Sequence, residues 1–280
     1  MKLQIRYLIS IFSIILFSSY AHADRELALA YLTLDGIHVS DSGVIYAADG
    51  FEGTKLFYIT PEGVTYDYAS GLDGPIDITE DSRGNLFVTN FNSAKVSKID
   101  TDGVVTDFAK TNQGPAGITI DNNDNLYVTH YGVGDGDGNS ILKITPDGQT
   151  SIFSQGGMLE APVGIAIDED GNIYSANFNN GVIIKHDKHG SQAFIATVEA
   201  EAGFAVGHLA YVQGRIFATG IASQKIHVIR KNGNVRIRNI VTPGEFPNGI
   251  AFNPTTSEVM FINAFAPASA FTKIRIRRRH

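Results

Sequence analysis

Cysteine and tryptophan are absent from this chain, and methionine occurs only three times. Without cysteine there is no disulfide, no thiolate nucleophile and no lipobox residue for a lipid anchor. Without tryptophan, a carbohydrate-stacking platform lacks its strongest residue. Long apolar runs are scarce too. The only one, Leu8 to Phe17, is broken by Ser10 and Ser13 and is too short to span a bilayer. No G-x-S-x-G elbow and no Walker or dinucleotide fingerprint in a β/α setting is present, which removes the commonest hydrolase and nucleotide-binding classes. Beyond residue 23 no stretch sustains a 3.6-residue apolar period, so almost no helix is expected.

The apolar run has a different use. Lys2 and Arg6 precede it and Ala21-His22-Ala23 follows it, the pattern of a signal peptide over 1–23 cut before Asp24. The rest, 24–280, is expected to fold as one domain in the periplasm or the external medium. Its charge is uneven. Asp24 to Ala210 holds 9 Lys/Arg against 27 Asp/Glu, whereas Tyr211 to His280 holds 11 against 2. Such a dipolar chain either closes complementary halves or attracts a charged partner. A nucleic-acid partner for Arg275, Arg277, Arg278 and Arg279 conflicts with export and with the net negative charge. Neither a membrane span nor an obligate oligomer is indicated, so a monomer is expected.

What the sequence has in abundance is one line, repeated at intervals of roughly forty residues. Three clear copies are Leu86-Phe87-Val88-Thr89-Asn90, Leu126-Tyr127-Val128-Thr129-His130 and Ile173-Tyr174-Ser175-Ala176-Asn177. Ile45 to Asp49, Ile216 to Gly220 and Val259 to Asn263 are weaker ones. Before each clear copy stands a Pro-x-Gly or Pro-x-Asp segment, such as Gly114-Pro115-Ala116-Gly117-Ile118, and then an acidic turn such as Asp121 to Asn125. After it come an alternating segment such as Ile141-Leu142-Lys143-Ile144, a tight turn such as Thr145-Pro146-Asp147-Gly148, and a fourth alternating segment. Short period-2 segments joined by Asp-Gly and Pro-Asp-Gly turns are four-stranded antiparallel units. Units of this length stacked radially are propeller blades. The anchors Tyr46, Phe87, Tyr127, Tyr174, Phe217 and Met260 predict an all-β, six-bladed propeller. The last blade has three strands, and Leu27 to Leu34 supplies a fourth from the N-terminus, so the two ends are expected to pair and close the ring.

This blade pattern resembles NHL-repeat propellers and the neighbouring regucalcin, gluconolactonase and paraoxonase-like propellers. The resemblance implies the fold over nearly all of 24–280 and leaves the activity open, since such propellers include lactonases, lyases, sensors and binding scaffolds. It also implies a divalent metal, usually calcium, at the mouth of the central channel, held by acidic or Asn residues just before a Gly. Asp35-Gly36 and Asn248-Gly249 match that pattern, and Asp35 and Asn248 are the metal candidates. The corresponding Ile76, Ala116, Val163 and Gly207 cannot ligate through a side chain.

The second strands end in Asp49, Asn90, His130, Asn177, Gly220 and Asn263. In a propeller this point opens on the same face as the start of the first strand, which brings in Asp35, Asp77, His208 and Asn248. Asp49, Asn90, Asn177, Asn263 and Asp77 are therefore candidate ligand-binding residues in one concavity, and His130 and His208 are candidate catalytic bases. The alternative is that Asn and Asp cap strand ends through their own backbone. Phe51, Phe91, Tyr131 and Phe178 follow this ring closely, and packing between blades is the preferred reading for them. The loop from Gly132 to Ser140 opens like an EF-hand, Asp135-x-Asp137-x-Asn139, but lacks the turn glycine and the bidentate Glu. The acidic turns are expected to be hairpin chemistry.

Two functions fit. One is an exported NHL-type propeller that binds a small molecule, a peptide or an envelope component through the ring face. The alternative is a calcium-assisted hydrolase, lactonase or lyase of the gluconolactonase-like type.

Overall fold

A computed structural model describes residues 24–28, 34–60, 64–199, 204–239, 241, 245–264 and 270–275. The expected signal peptide at 1–23 and most of the expected Leu27–Leu34 strand lie outside those residues. Among the described residues every regular element is a strand and none is a helix long and apolar enough to cross a membrane.

The strands form six four-stranded antiparallel sheets. In the N-terminal sheet, β1 (Asp24–Ala28) pairs with the last strand of the chain rather than with its neighbour in sequence. A sheet of consecutive strands follows: β2 (Ile37–Val39), β3 (Ile45–Ala48), β4 (Lys55–Ile59) and β5 (Thr65–Ser70). The next is β6 (Pro75–Glu80), β7 (Leu86–Asn90), β8 (Lys95–Ile99) and β9 (Val105–Lys110). Then come β10 (Pro115–Ile120), β11 (Leu126–His130), β12 (Ser140–Ile144) and β13 (Thr150–Gln155). After them stand β14 (Pro162–Ile167), β15 (Ile173–Asn177), β16 (Val182–His186) and β17 (Gln192–Thr197). A further sheet is β18 (Leu209–Val212), β19 (Arg215–Gly220), β20 (Lys225–Arg230) and β21 (Val235–Arg238). The final strands β22 (Phe246–Asn253), β23 (Glu258–Ala264) and β24 (Ala270–Arg275) join β1 in the order β1-β24-β23-β22. This is a β-propeller of four-stranded blades. The inner strands β2, β6, β10, β14, β18 and β22 each touch the next, and β22 touches β2.

Burial follows the alternation of the sequence. The third strands read intermediate-buried-buried-intermediate-buried, as in β8, while the fourth strands are mostly exposed. Apolar residues of the first three strands pack between sheets: Ile78, Leu86, Val88 and Ile99 meet Leu56 and Ala48 of the preceding blade. Each fully buried Ile, Leu or Phe of this kind contributes roughly 1.5–3 kcal/mol.

The threonine of the repeated line has a specific task that its β-propensity does not reveal. Thr89 Oγ1 accepts the Asp77 N–H (3.1 Å) of its own inner strand and donates to the Ala116 carbonyl (2.6 Å) of the next blade. Thr129 does the same with the Gly117 N–H (2.9 Å) and the Val163 carbonyl (2.8 Å). Thr219 repeats it with the His208 N–H (2.9 Å) and the Asn248 carbonyl (2.7 Å). The staple is needed because β6 and β10 bulge at this point, between Pro75 and Ile78 and between Pro115 and Ile118, which removes ladder partners. Close approach explains the glycine after Pro-x. A Cβ on Gly117 would collide with the Val163 carbonyl, and one on Gly249 with the Asp35 carbonyl. That glycine therefore serves the contact between inner strands.

Candidate functional site

The bulges of β6, β10, β14 and β22 turn one residue each toward the axis at the end where second strands finish. Asp35, Ile76, Ala116, Val163 and Asn248 line the floor of a cup of about 370 Å³ there. These are the positions at which the resemblance implied metal ligands, and three of them form an aliphatic cluster instead. The next residue in each repeat lies where neighbouring inner strands meet. At four of those positions it is glycine (Gly36, Gly117, Gly164, Gly249), and at two it is Asp77 and His208. Both are buried.

His208 bridges the channel. Its Nε2 lies 2.8 Å from Asp35 Oδ1 and its Nδ1 3.4 Å from Asp77 Oδ2. Burial disfavours the imidazolium, but the charge of Asp77 and the hydrogen bond to Asp35 outweigh it, and the pKa rises to about 10. Asp77 is held in turn by the Ile118 N–H (3.0 Å) on Oδ2 and the Ile78 N–H (2.9 Å) on Oδ1. Asn248 Nδ2 donates to Asp35 Oδ1 at 2.9 Å. Both contacts to Asp35 therefore fall on one oxygen. Among the described residues Asp35, with its side chain 20% exposed, is the sole charged one in the cup lining.

This donor set does not fit calcium. Asp35 Oδ1 already accepts from an imidazolium and an amide, and Asn248 presents its NH₂ rather than its oxygen, so neither offers the set of free oxygens that calcium takes. Among the described residues no group of three or more His, Asp or Glu is arranged to hold a metal ion. The metal roles implied for Asp35 and Asn248 are replaced by roles in a hydrogen-bonded cluster. The Asp135/Asp137 loop is likewise internal: Asp137 accepts the Val133 N–H at 2.8 Å.

The polar residues that end the second strands do not reach the cup. Asn90, His130, Asn177 and Asn263 are buried within the blades, and Asp49 accepts the Thr54 N–H at 3.2 Å. Asn90 accepts the Asp73 N–H (2.9 Å), and Asn177 accepts the Glu160 N–H (3.1 Å), so each fixes the incoming loop of its own blade. Asn263 donates to Glu245 at 2.7 Å. His130 stands 3.4 Å from Ser140, and burial lowers its pKa to about 4, which removes it from the cup as a base. His186 is enclosed by Ser175 and Ser154 and His227 lies beside Ser223; burial lowers both to about 4. The physical reason is strand alternation. A residue that faces the space between sheets hands the ring face to the one after it.

That next residue is the aromatic one, and here the preference for packing is corrected. Phe51, Phe91, Tyr131 and Phe178 form the wall of the cup, completed by Phe204 and Ile221. The rings also touch in succession: Phe51–Phe91 at 5.2 Å, Phe91–Tyr131 at 5.9 Å, Tyr131–Phe178 at 5.5 Å and Phe178–Phe204 at 5.0 Å between centroids. Phe204 was not visible as a site residue in the sequence, since it lies outside the repeated line.

The described sheets, with an aromatic cup at one end of the strands, define the class: a β-propeller of four-stranded blades. The chain belongs to the virginiamycin B lyase family, whose model matches residues 40–264. In fold it is similar to a catalytically inactive histidine-to-alanine variant of virginiamycin B lyase from Staphylococcus aureus with quinupristin (18% identity, 90% of this chain and 99% of that one, TM-score 0.66). It is also similar to a gluconolactonase of Xanthomonas campestris (13% identity, 86% of each chain, TM-score 0.71). A third similar structure is regucalcin, a calcium-binding protein of Agrobacterium tumefaciens (14% identity, 88% and 92%, TM-score 0.70). A comparison with curated proteins finds no match. The gluconolactonase-like resemblance of the repeat is thereby borne out.

Proposed function

We propose that this protein is a lyase- or lactonase-type enzyme that takes a small, largely apolar ester or lactone into the aromatic cup, with Asp35 as general base. The observation that carries this reading is the cup itself: apolar floor, aromatic wall and one carboxylate in its lining. A concave, mostly apolar site with few convergent polar groups is the usual form of a small-molecule site, and about 370 Å³ admits a ligand of modest size. His208 and Asn248 hold Asp35 Oδ1, which orients the carboxylate and leaves Oδ2 for a proton of substrate or water. Membership of a lyase family supports an elimination or ring-opening step over other chemistries. Pairing of β1 with β24 and contact of β22 with β2 support a closed six-bladed ring as the scaffold. The n-region, apolar run and Ala-x-Ala of 1–23 support action in the periplasm or medium.

A second reading is favoured by a specific observation. Among the described residues no imidazole lines the cup, whereas replacement of a histidine accompanies inactivity in the staphylococcal lyase. Binding of a small molecule, peptide or envelope component without turnover follows if Asp35 alone cannot drive the reaction. A panel of aryl esters and lactones separates the two. Turnover above the buffer rate that falls at least about a hundredfold in Asp35→Asn is expected for the enzyme. Saturable binding without turnover for every member of the panel would leave only the binding reading.

A further inference from the structure

We propose that the cup selects an organic cation: an apolar body carrying a protonated or quaternary ammonium group. This rests on the reading of the cup as a ligand site and specifies what that site prefers.

Charge in the described loops around the cup is of one sign. The described loops at this end of the propeller are 51–54, 71–74, 91–94, 111–114, 131–139, 156–161, 178–181, 204–207 and 221–224. They contain Glu52, Asp73, Asp135, Asp137 and Glu160 and no Lys, Arg or His. The cations at this end stand at the tips of the outer strands, Lys55, Lys95, Lys110, Lys225 and Arg238, and none of them lines the cup. Lys55 and Lys95 each reach away to a fourth-strand carboxylate, Asp67 and Asp107, both at 2.6 Å. At the floor, two carboxylates and one imidazolium leave one net negative charge, and the carboxylate in the lining is that of Asp35. An anionic ligand in the cup would meet the Asp35 carboxylate.

The wall suits the same ligand. Aromatic faces attract a cation within about 6 Å of the ring centre, and ammonium groups are bound this way in aromatic cages. Five aromatic rings surround this cup, four pairs of them in direct contact. One is held there against its backbone preference. Phe204 has a φ of 57°, a left-handed conformation that bulky residues avoid, and two backbone hydrogen bonds keep it: Ala205 N–H to the Phe178 carbonyl (2.6 Å) and Ala222 N–H to the Phe204 carbonyl (3.0 Å). The residue is 56% exposed, so the core does not account for the position. Carboxylate below and rings around are complementary to one positive charge on an apolar frame.

Calorimetric titration of the whole protein with three probes of similar size tests this: benzyltrimethylammonium, its uncharged carbon isostere neopentylbenzene, and phenylacetate. The ammonium should bind at least about tenfold more tightly than the isostere, and phenylacetate should not bind. Asp35→Asn should abolish that preference, with circular dichroism checking the fold. Phe91→Leu, which leaves the buried cluster intact, should weaken the ammonium more than the isostere. Equal binding of ammonium and isostere, or a preference that survives both substitutions, would overturn the inference while the cup remains a ligand site. Failure of all three probes to bind would remove both.

Discussion

Carboxylates at the two ends of the strands have opposite surroundings. At the turn end, Asp81, Asp121 and Asp168 each start a hairpin and accept the side-chain amide and backbone N–H of Asn85, Asn125 and Asn172. Asp168 adds the Tyr174 hydroxyl (3.1 Å) and Lys231 (3.0 Å). Burial would raise these carboxyls, but the hydrogen bonds outweigh it and hold all three below the usual range. Nothing is left over for a ligand. At the cup end, Asp35 is held through one oxygen only and opens into a cavity walled by aromatic rings. Acidity alone therefore does not mark a site in this chain; what distinguishes the two ends is whether the surrounding turns consume the acceptor capacity.

The widest test of that comparison is pH. His130, His186 and His227 are buried neutral at about 4, against about 6.5 unfolded, so their contribution to stability is complete above about 6.5 and is lost as pH falls through about 4. The lowered Asp81, Asp121 and Asp168 extend the loss to lower pH. His208 runs the other way: raised to about 10, it stabilises fully below about 6.5 and ceases to do so as pH climbs through about 10. Urea midpoints across pH should therefore fall on both sides of neutrality, and His208→Asn should flatten the limb between about 6.5 and 10, below the range where the raised Tyr46, Tyr127 and Tyr174 hydroxyls add their own loss. A flat alkaline limb in the unsubstituted protein would contradict the His208 cluster.

Substitutions should separate the ends next. Asp168→Ala is expected to cost about 1.5–3 kcal/mol of unfolding free energy, because it strands the Lys231 and Tyr174 partners, with ligand affinity unchanged. Thr129→Val removes one staple between blades and leaves the Val163 carbonyl and Gly117 N–H without it, at about 1–2 kcal/mol. Phe204→Gly should have the smallest effect on stability and the opposite sign. Relief of the left-handed backbone offsets the loss of a largely exposed ring, so the melting temperature holds or rises while ammonium affinity drops. Loss of stability in Phe204→Gly would return that ring to the core.

Much of this was legible in the repeat. Period, turn chemistry and alternation lead directly to four-stranded blades, and the register of the repeated line is what the strands adopt. The ring face was also found from topology. The error lay one residue along the strand. Asn90, His130 and Asn177 vary conspicuously from unit to unit, but alternation buries them, and the informative position is the aromatic that follows. The staple of Thr89, Thr129 and Thr219 was hidden for a different reason. Threonine is already favoured in strands, so its presence there carries no signal until the neighbouring blade is in view. Phe204 stands outside the repeat, and no periodic argument reaches it.

The claim that the cup end holds the ligand is tested most directly by methyl spectra of the labelled protein during titration with benzyltrimethylammonium. Shifts are expected at Ile76, Ala116, Val163 and Ile221, which line the cup, with Ile120 and Ile167 at the turn end of their strands unchanged. Movement centred on Ile120 and Ile167 instead, with the floor methyls still, would contradict the account.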